Sequence, residues 1–498
     1  MVKPNPFIIV ESTRFSAFDP SKVKNIVWLK ALISCNKFTT AFSNSSSMDS
    51  FPRSLNPNKH LREQFVSNLP GSSMLEVSAL LNNVALLMLL RHTFCSQTVN
   101  DACRSLKSYL ASVALDYVFL VLPTLLIFTV LAEWVYICLI GLLLLLVFFT
   151  AVKRTYSLPY MEGPNASRAS ISSYRVVTMF ITCLCILAVD FRIYPREYAK
   201  TETYGASLMD LGVGSFVLMN AVTSRQARNI KSSIWWKAAF KSTTPLLLLG
   251  FARLASTLSL DYQVHVGEYG VNWNFFFTLA GVSILTSILN VPAEYSGILG
   301  SVILVGYQSW LTNGLNVYLL SNERGTDVIS RNKEGIFSLF GYWGMYLVGV
   351  QVSYYLFFEN HTTKQRSKHE TRIRICLLTI MFWILTLLID RYVERISRRI
   401  CNLAYVTWVV AQNLQLLALR LLADNIIGHK TLCLERAFDR NLLASFLVAN
   451  LLTGLVNLSV DTIFVSPLSA VLILVSYSLT LCVVMVLIDF SGVKYKFW

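Results

Sequence analysis

The sequence is poor in charged residues. Only 14% of its 498 residues are Asp, Glu, Lys or Arg, whereas soluble domains carry roughly a quarter. Hydrophobic residues make up 54% of the chain, and they occur in blocks of about 17–25 residues, which is the length that crosses a bilayer. The composition therefore excludes an ordinary soluble domain. It predicts an all-α, polytopic integral membrane protein, a bundle of about 13 transmembrane helices.

Several familiar catalytic motifs are also missing. The chain contains no G-x-S-x-G, H-E-x-x-H or Walker sequence and no D-x-D, which argues against common hydrolase, metalloprotease and nucleotide-hydrolysing sites. Its 10 cysteines form no C-x-x-C pair, and most lie in or beside apolar segments, where Cys behaves as a small hydrophobe. We expect no bound metal and no permanently bound cofactor.

The net charge of +15 indicates membrane orientation rather than a nucleic-acid partner. Lys and Arg gather in the cytosolic loops of membrane proteins. Counted from Met48, the loops on the N-terminal side of the bundle carry fewer cations than those on the other side. We therefore expect the C-terminus in the cytosol, and the N-terminus and the loop after Asp190 on the lumenal or external face. The expected partners are the bilayer and its lipids.

The chain divides into three predicted regions. Residues 1–47 are polar and lack sustained periodicity, so we expect a disordered extension, or a spurious one if Met48 is the true start. Residues 48–73 form an amphipathic N-terminal tail. Residues 74–498 form the transmembrane domain, whose short loops leave no room for a separate soluble domain.

The densest group of ionisable residues in the apolar part of the chain lies between two hydrophobic segments. Asp190 ends one of them, a loop with Arg192, Arg196 and Lys200 follows, and Asp210 lies inside the next. Ionisable groups at such positions are costly and indicate a functional site. A carboxylate that loses hydration becomes a stronger base, which suits proton abstraction from an alcohol. Lys200 is close enough along the chain to fold back against Asp190.

Each of these residues also has a structural interpretation. Asp190 and Lys200 could form an ion pair at a helix end. Arg192 and Arg196 suit phosphate or diphosphate recognition, but they equally suit interfacial anchors that snorkel to water. Asp210 is followed by two glycines, which favour close packing of helices.

A second polar group lies at residues 260–277. His265 could act as a base, although a single loop histidine is more often structural. Glu268, Asn272 and Asn274 offer polar contacts beside the aromatic Trp273. The cation count places this segment on the same face as Asp190.

Two further positions belong with these groups. Arg253 lies within an apolar segment, where a cation needs a partner or a water-filled cavity. Lys333 and Glu334 begin another apolar segment on the face of Asp190. Three polar segments are thus predicted to converge on one side of the bundle.

Five blocks of sequence carry a family resemblance. They are LAVDFRIYPREYAKTETYGASLMDLGVGSF, LDYQVHVGEYGVNWNFFFT, NKEGIFSLFGYW, SRRICNLAYVTWVV and NLLTGLVNLS. Together they resemble the PIG-W family, endoplasmic-reticulum acyltransferases that acylate the inositol of glucosaminyl-phosphatidylinositol in GPI-anchor biosynthesis. The resemblance implies transfer of a fatty acyl chain, usually palmitoyl, from acyl-CoA as co-substrate to the inositol 2-hydroxyl. It also implies an endoplasmic-reticulum membrane location with a lumenal site.

The resemblance also implies roles for individual residues. Asp190 matches the acid of the family's V-D-F and is the expected general base. Lys200 matches the lysine of A-K-x-E and is expected to stabilise the thioester or the CoA phosphates. The remaining matches are expected substrate contacts: Arg192, Arg196, Asp210, Arg253, His265, Glu268, Asn272, Trp273, Asn274, Lys333 and Glu334.

The sequence departs from the family pattern at three positions. Asn272 stands where a histidine is expected, so a histidine base is missing there, which favours Asp190, or His265 if the aspartate fails. Arg192 replaces a proline, and Lys333 replaces an arginine.

Two other functions stay open at this point. One is a solute or ion transporter that uses Asp190, Asp210 and Arg253 as a coupling relay. The other is a catalytically idle scaffold in the same pathway.

Overall fold

The computed structural model describes residues 61, 64–65, 67–94, 106–156, 166–230, 235–259, 266–358, 367–427 and 431–492. All of them belong to one compact unit, Leu55–Trp498. The predicted extension at 1–47, most of the predicted tail and the candidate base His265 lie outside the described residues.

The described chain is almost entirely helical. Its α-helices in chain order are α1 Met74–Phe94, α2 Leu106–Asp116, α3 Leu122–Ile127, α4 Val135–Tyr156, α5 Ala166–Ala188, α6 Leu208–Thr223, α7 Trp235–Ser259, α8 Val266–Tyr269, α9 Phe275–Leu289, α10 Ala293–Trp310, α11 Asn316–Leu320, α12 Val328–Arg331, α13 Lys333–Phe357, α14 Lys368–Tyr392, α15 Leu403–Ile427, α16 Cys433–Arg440, α17 Leu442–Ser459 and α18 Pro467–Phe490. Short π-helical segments join α2 to α3 and α10 to α11, and 3₁₀ turns lie at Ala132–Trp134 and Arg196–Tyr198. Ser72 and Ala206 form an isolated antiparallel bridge.

The helical architecture and the long apolar helices confirm the predicted fold class, an all-α polytopic membrane protein. In the described ranges, nine helical stretches are long and apolar enough to cross a membrane. The other predicted spans are also helical, but α6 and α9 are shorter, α7 contains Pro245, and the α10–α11 segment bends at Gly314, where φ is +111°. The count of thirteen spans stays a prediction.

Helix α15 forms the centre of the bundle. Of its membrane-spanning window 83% is buried within the protein, against 6% for the lipid-facing α4. Its polar side chains pair with neighbouring helices: Ser78 donates to Gln412 at 2.9 Å, and Tyr174 donates to Asn413 at 2.7 Å. In a bilayer such groups must find partners inside the protein, because lipid offers none.

Close contact between α10 and α13 depends on glycine. A Cβ atom at Gly300 would lie 2.8 Å from the Gly344 carbonyl oxygen. Any larger residue would push the two helices apart, which is the reason that small residues are enriched at membrane helix interfaces.

A buried set of charged residues, which we call the sealed cluster, lies near the C-terminal ends of α1 and α15. Arg91 pairs with Asp116 at 2.9 Å, and His92 lies 3.3 Å from Glu435. Ser173 donates to Glu435 and accepts from Arg420 at 3.2 Å. The side chains of these two pairs are at most 8% exposed, so the cluster is closed to solvent.

Candidate active site at one end of the bundle

The three polar segments predicted to converge do meet, at the end of the bundle where α1 and α15 begin. Lys200 contacts Glu268 at 2.5 Å, which joins the 189–207 loop to the 266–274 segment. The backbone N–H of Val271 donates to the Arg331 carbonyl at 3.1 Å, which joins that segment to the third. The prediction of convergence is confirmed.

A fourth segment, the 394–402 loop, completes this end. The Gly205 N–H donates to the Ile396 carbonyl at 2.8 Å, and the Ser397 hydroxyl donates to the Thr203 carbonyl at 2.5 Å. Gly205 has φ of +131°, and a Cβ there would lie 2.2 Å from the Pro70 carbonyl oxygen, so only glycine fits. The loop that carries the candidate site is therefore fixed by backbone contacts.

Four charged side chains of alternating sign form a row of three ion pairs across these loops. Lys200 pairs with Glu268 at 2.5 Å, Glu268 with Arg398 at 3.4 Å, and Arg398 with Asp210 at 2.6 Å. We call these four residues the open cluster, because its terminal member Lys200 has a side chain that is 37% exposed. The two positive and two negative charges balance one another.

The ion pairs of the open cluster set the protonation states of Glu268 and Arg398. Burial alone would raise the pKa of Glu268, but the charges of Lys200 and Arg398 outweigh it and hold that pKa at about 2. Burial alone would lower the pKa of Arg398, but Glu268 and Asp210 hold it well above its usual range. Both groups are therefore ionised at neutral pH.

Asp210 is the buried end of the open cluster. It is fully buried, and one of its carboxylate oxygens accepts from the N–H of Thr201 at 3.1 Å and from its hydroxyl at 2.7 Å. The Tyr405 hydroxyl donates to the Asp210 backbone carbonyl at 2.7 Å. Asp210 therefore positions the loop and Arg398, and it presents no face to a substrate.

Lys333 and Glu334 belong to the framework as well. The buried ammonium of Lys333 donates to the carbonyl oxygens of Tyr318, Ser321 and Glu323 at 2.6–3.0 Å. These bonds satisfy backbone carbonyl oxygens at the C-terminal end of α11. The Lys333 ammonium is therefore buried among backbone groups and is not placed to make the substrate contact expected of it.

Glu334 lies at the centre of a second ionic group. It is fully buried and binds Arg324 at 2.6 Å and Arg399 at 3.1 Å. Arg399 also lies 3.8 Å from Glu202. The substrate contact expected of Glu334 is likewise replaced by contacts within the protein.

Asp190 lies in the turn that follows α5. Its carboxylate is partly exposed, and it accepts a hydrogen bond from the side-chain amide of Asn457 on α17 at 2.8 Å. The expected pairing of Lys200 with Asp190 is wrong, because the ammonium of Lys200 binds Glu268 instead. Sequence proximity favoured the first pairing, but the loop geometry brings α8 closer to Lys200.

The two arginines of the loop differ from each other. Arg196 donates to the carbonyl oxygens of Val189, Phe191 and Tyr194 at 2.9–3.2 Å, and burial lowers its pKa to about 10. It therefore shapes the loop and is poorly placed for the phosphate contact expected of it. Arg192 is exposed, and its guanidinium lies 5.8 Å from the centre of the Phe464 ring.

Trp273 and Asn274 have structural partners. The Trp273 indole donates to Thr278 at 2.9 Å, and its ring covers Gly335, where a Cβ would lie 2.3 Å from it. Asn274 caps α9 and donates to the Gly250 carbonyl at 3.0 Å. Both residues join α9 to its neighbours.

Arg253 and Asn272 lie at the margin of the site. Arg253 is exposed on α7, and its charge contributes to the low pKa of Glu268. Asn272 is exposed, and its backbone N–H donates to the Asn332 side chain at 2.8 Å. The substrate contacts expected of these two residues, and the catalytic roles of Asp190 and Lys200, stay predictions.

Sequence reasoning missed Arg398, Arg399 and Asn457 as members of this site. The two arginines stand side by side in a short loop between apolar segments and lie at the start of the family block SRRICNLAYVTWVV, but individually they were assigned only as orientation charges. The signal in the sequence is a pair of adjacent cations in a chain with few charged residues. The structure places these cations beside the buried Asp210 and Glu334. Asn457 lies in an apolar helix within the family block NLLTGLVNLS, and no charge there indicates a contact with Asp190.

Comparisons with known proteins give a consistent result. The GWT1 family model matches residues 58–488. An uncharacterized protein of Arabidopsis thaliana is 58% identical over 79% of this chain and 90% of its own length. The glucosaminyl-phosphatidylinositol-acyltransferase PIGW of Homo sapiens is 31% identical over 88% of this chain and 99% of its own. GPI-anchored wall transfer protein 1 of Aspergillus oryzae is 34% identical over 88% of this chain and 98% of its own.

Proposed function

Because the chain belongs to the GWT1 family, we propose that it is a membrane O-acyltransferase. In this proposal it transfers a fatty acyl chain, palmitoyl for preference, from acyl-CoA to the inositol 2-hydroxyl of glucosaminyl-phosphatidylinositol during GPI-anchor biosynthesis. The names of the relatives from Homo sapiens, Bos taurus and Mus musculus state the acyltransferase activity and its glycolipid acceptor. The acyl donor and the acylated hydroxyl are our inference.

The observation that carries the chemistry is the pair of partly exposed, oppositely charged groups on one rigid loop. The Asp190 carboxylate, oriented by Asn457, takes the proton from the inositol hydroxyl as general base. The oxygen then attacks the thioester carbonyl. The acyl C–O bond forms, the C–S bond breaks, and the CoA thiolate leaves and takes up a proton.

Lys200 has a separate role in this scheme. Arg398 also faces Glu268, at 3.4 Å, so Lys200 is not the sole counter-ion of that carboxylate. The Lys200 ammonium can therefore also bind an anionic group of a ligand. An ammonium at this position stabilises the developing oxyanion or binds the CoA phosphates. Since Lys200 does not pair with Asp190, we propose that the two groups act on different parts of the reacting complex.

A direct assay tests this function. Membranes that contain the full-length chain are incubated with labelled palmitoyl-CoA and glucosaminyl-phosphatidylinositol, and the glycolipid fraction is analysed by mass spectrometry. We expect label in an ester on the inositol ring. If membranes with the human relative form this product and membranes with this chain do not, the proposal is wrong. Solute uptake without acyl transfer would support the transporter alternative.

We further propose an endoplasmic-reticulum location, with the site lumenal and the C-terminus cytosolic. The excess of cations in the loops opposite the site supports this orientation. Tags at the C-terminus and in the 321–327 loop should differ in protease protection in sealed microsomes, with the C-terminal tag cleaved and the loop tag protected. The reverse pattern would overturn the orientation and leave the acyl-transfer proposal standing.

A further inference from the structure

A groove lies between α17 and α18 and does not belong to the ionic framework described above. Its volume is about 340 Å³, and its leucines are open to the membrane side, with Leu455 54% and Leu472 58% exposed. Between Leu472 and Thr480 it follows α18 for about 12 Å at 1.5 Å per residue. Its walls include Leu452, Leu455, Val456, Ile473, Ser476 and Thr480.

The groove also contains three residues with hydroxyl groups, and all three hydroxyls are hydrogen-bonded within the protein. The Ser476 hydroxyl donates to the Leu472 carbonyl at 2.8 Å, and the Thr480 hydroxyl donates to the Ser476 carbonyl at 2.8 Å. Tyr477 donates to the Cys183 carbonyl at 2.7 Å. Each of these hydroxyl groups uses its hydrogen in a bond to a backbone carbonyl oxygen. The surface of the groove that faces an occupant is therefore mainly hydrocarbon.

One end of the groove adjoins the candidate base. Val456 lines the groove, and the next residue, Asn457, donates to Asp190 at 2.8 Å. The loop after α17 carries Phe464, over which the exposed Arg192 lies. Thr480 and Leu452 are farther from this end along their helices. The end of the groove at Val456 is therefore one residue along α17 from the side chain that binds Asp190, and the groove runs from there along α18 into the bilayer region.

We propose that this groove holds the fatty acyl chain of the acyl donor, an inference that rests on the proposed function of Asp190. The reacting carbon of the donor is the first carbon of its chain, so the chain must leave from a point beside the base. The acceptor's own lipid tails are separated from the reacting hydroxyl by the inositol ring and the phosphodiester. A groove whose near end lies one residue from Asn457, the partner of Asp190, fits the donor chain, and Thr480 is the lining residue of α18 farthest from that end.

Chain-length selectivity tests the assignment. Thr480→Trp should block the far end, so transfer from palmitoyl-CoA should fall about tenfold relative to octanoyl-CoA, the loss expected for about two displaced methylenes. Ser476→Trp, closer to Asp190, should lower this ratio further. The matched control is Leu479→Trp, because Leu479 is on the same helix, is 47% exposed and lies outside the groove. Equal ratios in the wild-type chain, Thr480→Trp and Ser476→Trp would overturn the proposal.

Photo-crosslinking separates this inference from the proposed function. A diazirine-bearing palmitoyl-CoA, added to the full-length chain in membranes, should label α17 or α18. The labelling should fall about tenfold in Ser476→Trp and stay unchanged in Leu479→Trp. Label on these helices without acyl transfer to the glycolipid would support the groove and contradict the proposed acceptor. Label confined to other helices would contradict the groove, whatever the transfer assay shows.

Discussion

The open and sealed clusters lie near opposite ends of α1 and α15 and differ in their access to solvent. Along α15, residues 403 and 420 are separated by about 26 Å at 1.5 Å per residue. Lys200 and Glu268 of the open cluster have side chains that are 37% and 19% exposed. His92 and Glu435 of the sealed cluster are 0% and 1% exposed.

This difference separates charges that hold the fold from charges that are available to a ligand. A buried ion pair contributes little net stability, but removing one partner leaves an uncompensated charge and is costly. An exposed pair can exchange one partner for a substrate group at small cost. We therefore expect changes in the sealed cluster to act on folding, and changes at Asp190 and at the exposed end of the open cluster, Lys200, to act on turnover.

The largest expected effect is on the chemical step. Asp190→Asn keeps the shape and the hydrogen-bonding capacity of the side chain but removes the base, so acyl transfer should fall by about 10²–10⁴. The measurement is transfer of labelled palmitate in membranes with matched protein levels. Glu197→Gln, an exposed change in the same loop, is the control and should keep activity. Wild-type rates in Asp190→Asn would remove Asp190 from the mechanism.

A change in the sealed cluster should act on stability instead. Glu435→Gln leaves His92 and Arg420 without their carboxylate, so the free energy of unfolding should fall by about 3–5 kcal/mol. Thermal unfolding in detergent measures this loss. Asp439→Asn is the matched control on the same helix, because its pair with Arg175 is about 30% exposed and should contribute at most about 1 kcal/mol. Equal stability of the two variants would contradict the distinction between the clusters.

The helices of this protein were predictable because the bilayer leaves the backbone few choices. A long apolar block must form a helix to satisfy its own N–H and C=O groups, so every predicted span is helical in the described residues. The spans that fall short of the membrane criterion include the short helices α6 and α9 and the α10–α11 segment, which bends at Gly314. Composition alone does not report these features.

The pairing of charges was not predictable in the same way. The convergence of the polar loops followed from counting membrane crossings, but the partner of Lys200 depended on how closely α8 approaches the 189–207 loop. The sealed cluster gave no sequence signal as a unit, because His92 and Glu435 are 343 positions apart in the numbering.

A smaller effect on turnover is expected at the exposed end of the open cluster. Lys200→Met removes the cation proposed to stabilise the oxyanion or the CoA phosphates, so transfer should fall about 10²-fold. Stability should change by less than about 1 kcal/mol, because the Lys200 ammonium is partly exposed and Arg398 still faces Glu268. Lys200→Arg keeps the charge and should retain more activity than Lys200→Met. A large loss of stability in Lys200→Met would place Lys200 with the framework.

The smallest expected effect is on acid stability. The folded-state pKa of Glu268 is about 2, below its usual value of 4.5, so its ionised form stabilises the folded chain at neutral pH. This contribution is present above the unfolded-state pKa and is lost as pH falls towards 2. At pH 4 about 1 kcal/mol of it should be gone. The stability difference between the wild-type chain and Glu268→Gln should therefore shrink on acidification, as measured by thermal unfolding in detergent between pH 7 and pH 4.

Glu197 provides a control of opposite sign for this pH dependence. Its pKa is raised, first by burial and then by the nearby charge of Glu76, so its ionised form opposes folding and protonation relieves the cost. The wild-type chain should therefore gain stability relative to Glu197→Gln as pH falls. If the stability differences of both variants from the wild-type chain change in the same direction, the opposite pKa shifts of Glu268 and Glu197 do not control the acid response. The ion pairs of Glu268 would then contribute nothing specific to the acid response of the open cluster.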